Sequence, residues 1–278
     1  MTATPPRDSS NFEGGDKVAD PLRTVADGME IPDWPAPARV YARVTTRALA
    51  GASRAPFDAF NLGAHCGDDP PAVAANRHRL SVLLDLPAQP RWLRQVHGVD
   101  VAVFGQADAP AREPAVADAA ITSAANVVLC VLTADCLPLL ICADDGSEVA
   151  AVHAGWRGLA AGVIEITIAK MRTPSERLFV WLGPAIGPLS YEVGDEVREA
   201  FVSHQAIAAA EFVPTRPGHW HCDLYALARQ RLAAVGVERV YGGKLDTLTD
   251  GRFYSYRRDG KTGRFASLIW TQAEAGVA

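Results

Sequence analysis

The stretch from Val127 to Cys142 constrains this chain more than any other. It is apolar almost throughout, but it contains Asp135 and Pro138 and is too short to cross a bilayer. It reads as two buried strands, over 127–132 and 137–142, joined by Thr133-Ala134-Asp135-Cys136. Pro138 falls just after the joint, which puts the Cys136 thiol at a strand end. A third strand, over 148–153, follows the Asp144-Asp145-Gly146 turn. It runs into His153-Ala154-Gly155-Trp156-Arg157-Gly158, where small residues let backbone and ligand come close.

Elsewhere, 40–45 alternates like a strand, and Asp69-Pro70-Pro71 opens a helix through 73–84. The pattern predicts one helix from Gly158 to about Met171, then a strand over 177–182 ended by Gly183-Pro184. Helices follow over 193–201 and 223–235, the second capped by Asp223 and stopped by Gly236. Segments 253–257 and 264–270 flank a polar turn and predict a terminal hairpin. Strands and helices alternate in the middle while hairpins frame them. The expected fold is therefore a single α/β (α+β) domain with mixed sheets flanked by helices, not a doubly wound parallel one. Residues 1–36 are rich in Pro, Gly, Ser and Asp, which predicts a flexible tail before one domain over 37–278.

The net charge of −5 provides no overall basic field, so nucleic acid is not an expected partner. The first residues lack a basic segment followed by an apolar core, so neither a secretory signal nor a membrane association is expected. Five cysteines without framework spacing point to a reducing compartment, the cytoplasm.

His97, in Gln95-Val96-His97-Gly98, together with Cys136 and His153 could supply two imidazoles and a thiolate. Three such ligands leave one zinc position open for water or substrate, as catalytic zinc sites do. Their separations match no zinc-finger spacing. On spacing alone, a buried inert thiol and two structural histidines remain open.

Several motifs carry a resemblance. They are Phe60-Asn61-Leu62-Gly63-x-His65-x-Gly67-Asp68-Asp69-Pro70, Asn76-Arg77, Gln95-Val96-His97-Gly98 and Thr133-Ala134-Asp135-Cys136-x-Pro138. Further along come His153-Ala154-Gly155-Trp156-Arg157-Gly158, Gly183-Pro184-x-Ile186-Gly187 and Phe253-Tyr254-Ser255-Tyr256-Arg257-Arg258-Asp259. In this order they resemble the YfiH family, whose members are also called laccase-domain, multicopper polyphenol oxidase or FAMIN-like proteins. The resemblance implies a fold similar to the cysteine-hydrolase domain of cytotoxic necrotising factor. It implies a zinc-dependent purine nucleoside phosphorylase that converts adenosine, inosine, guanosine and methylthioadenosine to base and ribose 1-phosphate. Adenosine deaminase activity is implied as well.

By motif, the metal and catalytic set falls on His97, Cys136 and His153, and an anion-binding arginine on Arg77. Arg47 and Arg157 are weaker anion candidates, His65 a substrate-orienting one and Trp156 a wall for a purine. His65 and Asp135 are the candidates to protonate the departing base. Where the family commonly has Cys-Thr, this chain has Asp246-Thr247. The expected partners are purine nucleosides and inorganic phosphate, and the expected state a monomer or weak homodimer.

Two rival chemistries stay in view. One is a metal-free Cys–His amidohydrolase that edits peptidoglycan precursors, with Cys136 as nucleophile. The other is a copper-dependent, laccase-like polyphenol oxidase. Multicopper oxidases use about ten histidines, largely in His-x-His pairs, as a family pattern. This chain has seven histidines and one such pair, His219-Trp220-His221. Cu²⁺ could still displace Zn²⁺ from a His-Cys-His set, because raw affinity favours copper.

Overall fold

Successive side chains of a strand point to opposite faces, so a strand apolar at every position must be covered on both sides. The computed structural model, which describes residues 28–106 and 113–273, satisfies this requirement with stacked layers. On strand Leu137–Ala143, Leu137, Leu139 and Ile141 face one core, while Leu140 and Cys142 face another. Strand Val149–Ala154 divides the same way, with Ala150 and Val152 on the first side and Val149 and Ala151 on the second.

These two strands are central in a six-stranded mixed sheet. Its order is Arg239–Gly242, Leu178–Leu182, Leu137–Ala143, Val149–Ala154, Ala119–Thr122, Val101–Val103. The two outer pairings are parallel and the three inner ones antiparallel. A second, antiparallel sheet is ordered Met29–Glu30, Val40–Thr45, Phe265–Thr271, Leu129–Thr133.

One core lies between these two sheets, where Val44, Leu129, Val131 and Ile269 meet Leu140, Ala151 and Trp181. Helices Val163–Lys170 and Leu224–Ala234 cover the outer face of the larger sheet. Helix Pro70–Leu83 covers the outer face of the smaller one, where Leu80 packs with Leu62, Leu268 and Trp270. The order of layers is helix, sheet, sheet, helices, the mixed α/β arrangement expected. No helix among the described residues is long and apolar enough to cross a membrane.

Three local expectations need correction. The helix predicted from Gly158 to Met171 is two helices, Trp156–Ala161 and Val163–Lys170. They break at Gly162, whose φ of +95° lies in the left-handed region that glycine enters at little cost. The terminal hairpin does not form. Phe265–Thr271 has both edges filled, by Val40–Thr45 and Leu129–Thr133. Segment 253–257 instead leads into a short helix, Tyr256–Asp259, capped by Ser255. Of the predicted tail, residues 1–27 lie outside the described residues, but Met29 and Glu30 pair with Thr45 and Val44. Met29 is buried against Leu49, Phe60 and Leu62.

Candidate metal and catalytic site

The chain passes from the smaller sheet to the larger one between Leu129–Thr133 and Leu137–Ala143. Cys136 sits in that crossover. Asp135, at φ +91°, turns the chain. One carboxylate oxygen of Asp135 accepts from Thr247 Oγ1 at 2.6 Å, the other from Arg257 N at 2.6 Å. Both are committed, which stabilises the turn and leaves Asp135 ill suited to hand a proton to a ligand. His153 lies on Val149–Ala154 directly opposite Pro138.

His97 comes from a loop, at φ +60°, and its Nε2 is 3.8 Å from Cys136 Sγ. The two imidazole rings meet edge to face, 4.9 Å apart. One donor atom each from His97, Cys136 and His153 falls within 4.8 Å of the others, the one such cluster found among the described residues. Gly155 makes this convergence possible. A Cβ there would stand 2.7 Å from His97 Cδ2 and 3.1 Å from Cys136 Sγ. Gly158 likewise allows the first helical turn to approach the Gly98 carbonyl, which a Cβ would meet at 2.8 Å.

Burial alone would push the Cys136 thiol up. The charge and hydrogen bond of His153, with His97 beside it, outweigh burial and bring the thiol down to about 6. Burial alone would lower His153, but the Cys136 thiolate and Asp118 raise it to about 9. Without metal, each group therefore favours the charged form of the other.

Sequence reasoning did not find Asp118. It is fully buried, and its Oδ1 lies 2.8 Å from His153 Nδ1. Its signal was faint, a lone acid just before the small-residue strand Ala119–Thr122.

A cavity of about 580 Å³ opens over the cluster. Four arginines line it, and each guanidinium lies over an aromatic ring that lines it too. Arg77 is 4.0 Å from the Trp92 centroid and Arg157 4.5 Å from Trp156. Arg257 is 5.1 Å from Tyr191 and Arg264 6.0 Å from Tyr256. Arg77 Nε and Nη2 both donate to Leu62 O, at 3.0 and 2.8 Å. Arg257 and Arg264 donate to carbonyls of Glu192, Thr262 and Gly263. Among the described residues none of the four pairs with a carboxylate, and Asp135 is the sole acid in the described lining.

His65 and Trp156 also line the cavity. Arg47 does not; it is held by Asp58 and Asp259, 3.3 and 3.5 Å away. Asp246 is also outside the lining, where it accepts from Gly187 N, Leu248 N and Ser190 Oγ and ties down the 183–190 turn. His219 bonds to Pro217 O on a separate three-stranded sheet, so the one His-x-His pair contributes nothing to the cluster.

Residues 41–272 match the family described as multi-copper polyphenol oxidoreductase laccase. The chain belongs to this family. A Pseudomonas aeruginosa member named as a purine nucleoside phosphorylase is 56% identical over 243 residues, 87% of this chain and 97% of that protein. The Escherichia coli member, named purine nucleoside phosphorylase YfiH, is 50% identical over 242 residues, 86% of this chain and 97% of that protein. Among solved structures, a Neisseria meningitidis DUF152 protein superposes with a TM-score of 0.84 at 43% identity, covering 88% of this chain and all of that one. This laccase-domain chain thus shares the fold, and has close relatives carrying a phosphorylase name, despite the oxidase wording of the family.

Proposed function

We propose that this laccase-domain protein is an enzyme that phosphorolyses purine nucleosides, namely adenosine, inosine, guanosine and methylthioadenosine, and that it deaminates adenosine as a second activity. The observation that carries this reading is a His-Cys-His cluster in the wall of a cavity with four arginines that have no carboxylate partner among the described residues. Two imidazoles and a thiolate form a donor set that suits zinc and leaves a position open. His97, Cys136 and His153 would hold the ion, which when bound supplies Lewis-acid stabilisation of developing negative charge.

The protein's own groups account for the rest. With no carboxylate partner among the described residues, these guanidiniums are available to an anion, so Arg77 and its neighbours hold inorganic phosphate against its repulsion from other negative groups. Trp156 and Trp92 offer flat apolar surface to a purine. A phosphate oxygen then bonds to the anomeric carbon, the bond from that carbon to the purine nitrogen breaks, and the base leaves with the electron pair and takes up a proton. Asp135 has both oxygens engaged, so His65, whose ring makes no hydrogen bond among the described residues, is the acid candidate that remains.

A second reading is favoured by one observation, the depressed Cys136 thiol beside a raised His153, which is the pairing a metal-free cysteine hydrolase uses. Copper oxidase chemistry has the weakest support, with seven histidines and one three-residue cluster among the described residues. The test is to incubate purified protein with adenosine and phosphate, separate adenine, inosine and hypoxanthine, and measure bound metal in the same sample. Phosphate-dependent adenine release that a chelator abolishes and zinc restores is expected. Turnover indifferent to chelation would move the assignment to the cysteine hydrolase, and no turnover of adenosine would remove the proposal.

A further inference from the structure

We infer that Asp118 is the positioning residue of the metal cluster, orienting His97 and His153 through one carboxylate. The inference rests on His97, Cys136 and His153 being metal ligands, but not on the nucleoside chemistry proposed for the cavity.

Asp118 Oδ1 accepts from His97 N at 2.9 Å and lies 2.8 Å from His153 Nδ1. Its Oδ2 accepts from Val96 N at 3.1 Å and Gly98 N at 2.7 Å. Four donors saturate an ionised carboxylate, which has about four acceptor sites. Its main chain joins in, since the Asp118 carbonyl accepts from His153 N at 2.7 Å.

The consequence differs at the two histidines. His97 sits at φ +60°, uncommon for a residue with a Cβ. Three successive N–H groups converging on one anion hold the loop in that shape. At His153 the carboxylate accepts a hydrogen bond from Nδ1–H, which keeps the proton on Nδ1 and leaves the Nε2 lone pair for a metal shared with Cys136 and His97. Asp118 does not line the cavity and has no free acceptor, so it acts through the histidines and not on substrate.

Asparagine cannot replace it. With its oxygen toward His97 and His153, its amide group opposes the N–H groups of Val96 and Gly98. Flipped, it donates to His153 Nδ1 and forces the proton onto Nε2, the ligating nitrogen.

The experiment measures Zn²⁺ and Co²⁺ affinity of the full chain by competition with a chromophoric chelator, with thermal melting of the metal-free protein alongside. Asp118→Asn is expected to bind metal about 10–100-fold more weakly while the metal-free variant still melts cooperatively. That loss should shrink in a His153→Ala background, because part of it acts through His153. Unchanged affinity in Asp118→Asn, or strictly additive losses in the pair, overturns the assignment. If the variant does not fold, ¹⁵N-histidine spectra of the zinc-loaded unsubstituted protein decide. His153 protonated at Nδ1 and metal-bound at Nε2 is expected, and the reverse arrangement overturns it. Neither readout depends on nucleoside turnover, so failure of the phosphorylase reading leaves this one standing.

Discussion

At Cys136 the sign of the electrostatics decides the chemistry. An ordinary cysteine ionises near 8.5, and burial alone would raise that value. His153 and His97 bring it to about 6. Lowering an acid's pKa means that the thiolate persists down to lower pH. Iodoacetamide labelling of Cys136 in metal-free protein should therefore rise with pH around a midpoint near 6 and be largely complete at 7.5. A midpoint above 8 would mean that the histidines do not stabilise the thiolate. Added zinc should protect the thiol at every pH where it binds. Gly155 permits a second prediction at this scale. Its missing Cβ leaves room for His97 Cδ2 and Cys136 Sγ. Gly155→Ala should displace His97 and lower turnover by about 100-fold, the order expected for a misplacement near 1 Å, with little change in thermal melting. Ala154-Gly155 after His153 was visible in the sequence as a place of close approach. What approaches it, a loop from nearly sixty residues upstream, was not.

At the scale of elements, continuous apolar runs translated directly into strands covered on both faces. Leu139 illustrates the energetics. It is fully buried between the larger sheet and its helices, so Leu139→Ala should destabilise the protein by about 2–5 kcal/mol, read from the shift of a urea midpoint. A smaller loss would indicate that the site collapses around the missing atoms. The helix Leu224–Ala234 was legible from its ends, since Asp223 accepts from Ala226 N as an N-cap should. The terminal segment misled because a hairpin is a local pattern. Phe265–Thr271 pairs instead with strands more than a hundred residues earlier. That choice was made by the apolar faces of Phe265, Ile269 and Trp270, which the distant strands help to cover.

For the whole molecule, the three candidate ligands come from a loop, a crossover between sheets and an inner strand. An ion held by all three links segments that separate on unfolding, so it binds the folded state preferentially. At zinc one hundred times above its dissociation constant, stability should rise by about 2.7 kcal/mol. Melting with and without chelator measures this, and Cys136→Ala should abolish the difference. A shift that survives the substitution would place the ion elsewhere.

The chain by itself determined which central stretches are buried strands, where the helices Pro70–Leu83 and Leu224–Ala234 begin, and which side chains could ligate a metal, because those properties follow from local periodicity and residue chemistry. Only the tertiary structure decided that His97 closes onto Cys136 and His153 and that Arg77 enters the cavity while Arg47 turns to Asp58. It alone revealed the carboxylate of Asp118 behind two histidines. Such contacts depend on how faces are buried across distant segments and on which buried polar groups then require partners, and adjacent residues carry no record of either.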